Sequence, residues 1–380
     1  MIRRYIVLIN VLLFFFSLFI SCHAVEAAKN QNIKPYKSAI LMEVDTGRIL
    51  YKYNIHKRLP PASMTKMMLM LIVMDKVYSG EISLDDEVRV SAAASRIGGS
   101  QVYLKEGEVF TIRELMKAIA IHSANDACYA IAEYIAGTPE GFVALMNEYA
   151  KKLNMKDTEY HSVHGLPPSK GQKEDLTSAY DSAILAKRLI QYPEVLQWTS
   201  TKTAYFRNGT FKLENTNKLI GRFRGADGLK TGYYSKAGFN LTATAKRGDT
   251  RLIAVVMGAK SDRARVNESA KLLSLGFALY HKKVLLKKGS PYNKEIEVLE
   301  GDPDKIKPIA GSDLTVYVKD SELPKVVVSL KDVPLLKAPI KKGEKIGRFV
   351  ATLEGEVIGS SYAICPEEVV KASFLKKLYR

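Results

Sequence analysis

From Ala62 to Tyr78 the sequence reads ASMTKMMLMLIVMDKVY, and a helix built from it has apolar side chains on every side. Such a helix cannot lie on a surface and must be packed inside other layers. Pro60-Pro61 stops the chain just before it. Five of the eleven methionines sit within it, and methionine fills irregular interiors well. One lysine, Lys66, is carried into this interior. Burial disfavours its charged form, so its pKa should fall toward that of a usable base. At 380 residues the chain exceeds one ordinary compact core and suggests two domains or three. With 47% hydrophobic and 26% charged residues, the composition is that of a folded protein.

Ser38–Asn54 reads as two short strands around the turn Asp45-Thr46-Gly47. Residues 84–200 read as mostly helical, with candidates at Arg113–His122, Asn125–Ala136, Pro139–Leu153 and Thr177–Ile190. Thr111, Asn125 and Thr177 are expected caps. From Leu229 strands return: Phe239, Leu241, Ala243 and Ala245 alternate with Asn240, Thr242, Thr244 and Lys246. After the turn Arg247-Gly248-Asp249 come a strand at Leu252–Met257 and a helix at Asp262–Tyr280. Strands at both ends of a helical middle predict one shared antiparallel sheet, an α+β arrangement over residues 30–283. Beyond it, short strands at Glu295–Leu299, Asp313–Val318, Val326–Leu330, Arg348–Leu353 and Val357–Ala363 predict a small β-sandwich over 285–365. Pro366-Glu367-Glu368 is expected to open a short terminal helix over 366–380.

Met1-Ile2-Arg3-Arg4 is positively charged, Tyr5–Ile20 is apolar except for Asn10 and Ser17, and small residues follow. Residues 1–27 thus read as a secretory signal peptide cleaved near Ala27. The apolar run is shorter than the roughly 20 residues that a spanning helix prefers. Phe19-Ile20-Ser21-Cys22 offers lipidation at Cys22 as the alternative. The 57 Lys and Arg exceed the 40 Asp and Glu, giving +17. Loss of the leader removes Arg3, Arg4 and Glu26 and leaves about +16 on the exported chain. Export, and the lack of a basic tract interleaved with aromatics, argue against nucleic acid as partner. An exported, periplasmic or envelope location with an anionic surface nearby fits this charge. Three cysteines rule out a disulfide scaffold or a four-cysteine zinc ribbon. Cys128 lies in an apolar helical stretch and reads as a buried free thiol, with pairing to Cys365 as the alternative.

Ser-x-x-Lys occurs twice, at Ser63–Lys66 and Ser373–Lys376, so the pattern alone is weak. At the first, positions i and i+3 share a helix face, and Lys66 can reach the Ser63 hydroxyl. Ser63 also lies in the first turn, where backbone N–H groups are unpaired. A serine nucleophile needs such a base. Ser123-Ala124-Asn125 stands at a helix entry, and Lys230-Thr231-Gly232 starts a strand. Ser123 and Asn125 could equally be ordinary N-caps, and Lys-Thr-Gly alone is an ordinary turn-to-strand tripeptide. In order and on the expected elements, the three follow the signature of serine β-lactamases and penicillin-binding proteins, with Ser-Ala-Asn as an accepted variation on the middle Ser-Asp-Asn.

With Val163-His164-Gly165-Leu166, Ser178-Ala179-Tyr180-Asp181 and Asp227-Gly228 added, the chain resembles low-molecular-mass penicillin-binding proteins, the serine-type D-alanyl-D-alanine carboxypeptidases, over roughly residues 30–370. The resemblance implies a β-lactamase/transpeptidase-like catalytic domain followed by a small all-β domain. It implies that Ser63 attacks the penultimate D-alanine of peptidoglycan pentapeptides while Lys66 takes its proton. Ser123 would relay a proton to the leaving D-alanine, and Asn125 would bind the substrate amide. Lys230 and Thr231 would hold the terminal carboxylate, and Gly232 would admit the substrate backbone. The N–H groups of Ser63 and Tyr233 would form the oxyanion hole, and His164 would border the site. β-Lactams would acylate the same serine, and no cofactor is implied. His161 and His164 form a weak metal pattern without a third ligand nearby, and loop ordering is the favoured role.

Three rival functions remain: a β-lactamase, a DD-endopeptidase and a non-catalytic penicillin-binding sensor. Glu159 and Glu174 lie where a deacylating carboxylate would be sought, but neither has the Glu-x-x-x-Asn setting. At the C-terminus, Val370, Phe374 and Leu378 offer one apolar face among lysines. That face suits a membrane surface as well as docking on the β-domain.

Overall fold

The computed structural model describes residues 34–373. The leader with Cys22 and most of the second Ser-x-x-Lys lie outside the described residues. Strands β1 (Ser38–Glu43) and β2 (Ile49–Tyr53) pair antiparallel. The buried Glu43 carboxylate closes their turn by accepting from the Asp45 and Thr46 amides at 2.6 and 2.8 Å. A 3-10 turn, Ala62–Thr65, leads into helix α1 (Lys66–Tyr78), buried throughout its first nine residues as its all-apolar surface requires. The hairpin β3 (Glu87–Arg89) and β4 (Val109–Thr111) precedes α2 (Ile112–Lys117), which runs on as a π-helical turn, Ala118–His122. Helices α3 (Asn125–Ala136), α4 (Pro139–Lys152), α5 (Ala179–Leu189) and α6 (Pro193–Thr199) complete the helical middle. The hairpin β5 (Thr203–Phe206) and β6 (Phe211–Glu214) follows. Strands β7 (Ala226–Tyr234), β8 (Gly238–Arg247) and β9 (Thr250–Ala259) then lead to α7 (Asp262–Leu279).

The two ends of this unit do share one antiparallel sheet, in the order β2-β1-β9-β8-β7. Both of its faces are covered. Leu41, Leu241, Ala243 and Val256 pack in one cluster with Leu272 and Leu273 of α7. Ile40, Met42, Val255 and Met257 join the helical core around α1. The polar alternates Asn240, Thr242 and Thr244 are therefore fully buried too, and the Thr242 hydroxyl meets Met64 Sδ at 3.2 Å.

Thr111 caps α2 in a reciprocal box with Glu114, as its position suggests. The other two caps fall one residue away from the expected ones. Ala124 is the N-cap of α3. Thr177 is held by a backbone bridge to Leu59, so Ser178, the next residue, caps α5 through the Asp181 amide at 3.1 Å.

The strand β10 (His281–Leu286) pairs with Leu314–Val318. A four-stranded sheet orders Ile309–Ala310, Glu356–Ile364, Lys345–Leu353 and Val327–Lys331, over a separate core that includes Val316, Phe349 and Ala351. The helix expected to open at Pro366 is absent from the described residues. Val370–Lys371 is instead a strand paired with Gly301–Asp302, and Val369 bridges Ile340. The backbone groups a helix would use internally are thus committed across the domain, and Val369 and Ala372 are buried. Phe374 and Leu378 lie outside the described residues. No helix among the described residues is long and apolar enough to cross a membrane.

The two parts meet at the β1–β2 turn. Arg48 donates to the Tyr317 carbonyl and pairs with Glu322 at 3.0 Å. The hydroxyl of Tyr317, itself fully buried, reaches Asp45 at 3.3 Å.

Candidate active site

In the 3-10 turn, residues i and i+3 are eclipsed, which stacks Lys66 over Ser63. Lys66 Nζ donates to Ser63 Oγ at 2.8 Å and to the His164 carbonyl at 2.6 Å. Lys66 is completely buried, and burial lowers its pKa from 10.5 to about 8 against the opposing influence of Asp175 and Asp126. The Cys128 thiol is pushed up to about 12 by burial and stays neutral; Cys128 and Cys365 are both free and buried.

Neither Ser123 nor Asn125 serves as an N-cap. Ser123 ends the π-helical turn in the left-handed conformation, φ +66°. Its hydroxyl accepts from Lys230 Nζ at 2.9 Å. A π turn and a strained residue together are common at functional sites. Asn125 Nδ2 donates to the Gly98 carbonyl at 2.8 Å, while its Oδ1 is buried without a partner among the described residues. A buried acceptor left open in this way suits an incoming N–H.

Strand β7 lies at the sheet edge beside the Ser63 turn. A Cβ placed on Gly232 would sit 2.3 Å from the Pro61 carbonyl oxygen and 3.0 Å from Ser63 N, so only glycine permits this approach. Lys230 is fully buried, and burial, then the nearby Lys66 charge, pull its pKa well below the ordinary value. A carboxylate arriving there would supply the missing countercharge. Thr231 Oγ1 donates to Thr216 Oγ1 at 2.7 Å. The Tyr233 ring is half exposed and stacks on Phe239 with centroids 4.1 Å apart.

The segment 160–175 closes the other side. Gly165, at φ +78°, presses so closely on Ala62 that a Cβ would lie 2.0 Å from its carbonyl oxygen. His164 takes part through its carbonyl; burial, then Lys66, lower the pKa of its ring to about 3, and Nδ1 accepts from the Leu166 amide at 3.2 Å. His161 pairs instead with Glu159 at 3.0 Å, so the two histidines have separate partners.

A sequence profile of D-alanyl-D-alanine carboxypeptidases matches residues 24–261, and a second, of the penicillin-binding protein 5 C-terminal domain, matches 280–371. The D-alanyl-D-alanine carboxypeptidase DacF of Bacillus subtilis is 40% identical over 90% of this chain and 88% of its own. The chain belongs to the D-alanyl-D-alanine carboxypeptidase family. Within the family, DacC of Escherichia coli is 36% identical over 90% of this chain and 86% of its own. The crystal structure of penicillin-binding protein 5 from Haemophilus influenzae, 32% identical, superposes with a TM-score of 0.77 over 89% of this chain and 98% of that one. An ampicillin-bound penicillin-binding protein of Listeria monocytogenes, 33% identical, matches 64% of this chain and 98% of its own, with a TM-score of 0.59.

Three residues supporting this family's site in the present chain escape sequence reasoning. Asn240 donates to the carbonyls of Pro60 and Pro61 at 2.9 and 3.2 Å and accepts from the Gly258 amide at 2.7 Å, fixing the approach to Ser63. Arg265 donates to the carbonyls of Gly232 and Asn240 at 3.2 and 3.1 Å. Asp175 holds the 160–175 segment from within. The one available signal for Asn240 is an amide among the strand alternates.

Proposed function

We propose that the protein is a serine-type D-alanyl-D-alanine carboxypeptidase that removes the terminal D-alanine from peptidoglycan stem pentapeptides. The observation that carries this reading is the 2.8 Å contact between Ser63 Oγ and a buried Lys66 amine whose pKa is about 8. As the free amine, Lys66 accepts the Ser63 proton while Oγ attacks the penultimate D-alanine carbonyl. Charge on that carbonyl oxygen is met by the N–H groups of Ser63 and Tyr233; the close approach of Gly232, which precedes Tyr233, to Ser63 N supports this pairing. Ser123, bonded to Lys230, relays the proton that Lys66 took from Ser63 on to the leaving amine, so that Lys66 and Ser123 end acylation as they began it. Lys230 and Thr231 hold the terminal carboxylate, and Asn125 Oδ1 accepts from the substrate amide. Water then cleaves the ester.

A β-lactam would form the same ester and leave it slowly. Glu174 is engaged by Tyr234 and Lys236 at 2.6 and 2.7 Å, and Glu159 by Arg58 at 3.2 Å. With both carboxylates committed elsewhere, slow deacylation is favoured over β-lactamase turnover. Export across the cytoplasmic membrane, with the positive chain near an anionic envelope, belongs to the same reading.

The test supplies pentapeptides bearing diaminopimelate or lysine, a cross-linked dimer peptide and nitrocefin. Free D-alanine from a pentapeptide is the expected product. Cleavage confined to the dimer would indicate an endopeptidase, rapid nitrocefin turnover a β-lactamase, and a stable penicillin adduct with no peptide cleavage a sensor.

The pH dependence has a defined sign. The Lys66 pKa is lowered from 10.5 to about 8, and the base form lies above it. Penicillin labelling should therefore accelerate with rising pH through about 8 and then level off. A flat labelling rate between about pH 6 and 10 would remove Lys66 from the role of base.

A further inference from the structure

Asp175 is almost completely buried and has no ion-pair partner among the described residues. Its carboxylate accepts four hydrogen bonds. Oδ1 takes the amides of His161 at 2.6 Å and Ser162 at 2.9 Å. Oδ2 takes Thr65 Oγ1 at 3.0 Å and Ser162 Oγ at 2.7 Å. Ser162 Oγ in turn accepts from the Gly165 amide at 2.9 Å. Thr65 directly precedes Lys66, and His164, whose carbonyl receives Lys66 Nζ, lies inside the Ser162–Gly165 turn. One carboxylate thus ties together the two pieces of backbone that bracket the Lys66 amine.

We propose that Asp175 is a positioning residue for proton transfer, holding Thr65 and the Ser162–Gly165 turn in register so that the Lys66 amine sits between the Ser63 hydroxyl and the His164 carbonyl. This rests on Lys66 being the base for Ser63. A buried carboxylate without an ion-pair partner is costly, and its four hydrogen bonds are what offset that cost. A carboxylate held in this way beside the Lys66 turn matches a need for geometry and charge. The groups facing Lys66 are Asp126 and Cys128 from α3, Lys230 from β7, and His164 with Asp175 from the 160–175 segment. Asp175 and Asp126 favour the ammonium form, while burial favours the free amine. Removing the Asp175 charge must therefore lower the pH at which Lys66 becomes a base.

The test measures penicillin acylation, D-alanine release and thermal melting for wild type, Asp175→Asn, Asp175→Glu and Thr65→Val. Asp175→Asn should slow acylation by roughly 10- to 100-fold with little change in KM, because a misplaced base costs rate more than binding. Its acylation profile should also shift to lower pH, which a purely structural lesion would not produce. Asp175→Glu should restore part of the rate. Thr65→Val should slow acylation by itself and add little to Asp175→Asn, since both cut the same link. An unshifted profile in Asp175→Asn would overturn the inference. So would a normal rate in Thr65→Val, which keeps the carboxylate and remains informative if Asp175→Asn does not fold. A wild type lacking any rise near pH 8 would instead overturn the reading of Lys66 as base, and this inference with it.

Discussion

Ser63→Ala should abolish both the penicillin adduct and D-alanine release, a fall on the order of 10⁶-fold by comparison with other serine nucleophiles. No other hydroxyl can substitute. Lys66 Nζ has two hydrogen-bond partners, and the second is the His164 carbonyl, which cannot attack. The Ser123 hydroxyl is bonded to Lys230, and the Thr65 hydroxyl is directed at Asp175. The fold should survive, because among the described residues the Ser63 side chain has the one hydrogen bond from Lys66. Mass spectrometry of penicillin-treated protein and an assay for free D-alanine read the two losses separately. Adduct formation or release retained within about tenfold of wild type would refute the nucleophile assignment.

Gly165→Ala should be nearly as damaging to the chemistry although it adds a single methyl group. The new Cβ would lie 2.0 Å from the Ala62 carbonyl oxygen, 2.4 Å from its carbon and 3.0 Å from Ser63 N. These are backbone atoms, so the Ser63 turn and the 160–175 segment must part. The φ of +78° adds strain for any L-residue. A displacement of about 1 Å in the reacting groups costs roughly 10²-fold in rate, and that is the expected loss in acylation. Stability should fall by about 1–3 kcal/mol. Gly171→Ala is the control: it lies in the same segment at φ +86°, but its Cβ would meet nothing within 4 Å. It bears the same kind of strain without the clash and should keep nearly full acylation. Equal losses in the two variants would mean that backbone strain, and not the close approach, governs the site.

The legible part of the site was local. Ser63 and Lys66 are three residues apart, so helical periodicity alone puts them together. Capping could not be excluded for Ser123 and Asn125 from composition. It is excluded once Ser123 is found in the left-handed region and Ala124 at the N-cap. The supporting residues were hidden because their partners are remote: Asp175 lies 110 positions from Thr65, and Asn240 lies 180 from Pro60. The C-terminus misled for a related reason. Pro366-Glu367-Glu368 is a sound helix start in isolation, but pairing with Gly301–Asp302 and Ile340 claims the backbone of the next residues.

The contact between the two parts of the chain is made at the β1–β2 turn, whereas Lys230 is on β7 at the opposite edge of the sheet. Four strand spacings separate β2 from β7, roughly 19 Å across a sheet packed on both faces. Apart from the covalent run from α7 into β10, the β-domain touches the catalytic part at Arg48, at the Asp45 and Asp249 ends of neighbouring turns through Tyr317, and at Lys52 through Glu356, none of them on β7. The noncovalent seam is therefore set apart from Ser63, whereas tension carried along the chain itself would arrive through α7, whose Arg265 holds the Gly232 carbonyl.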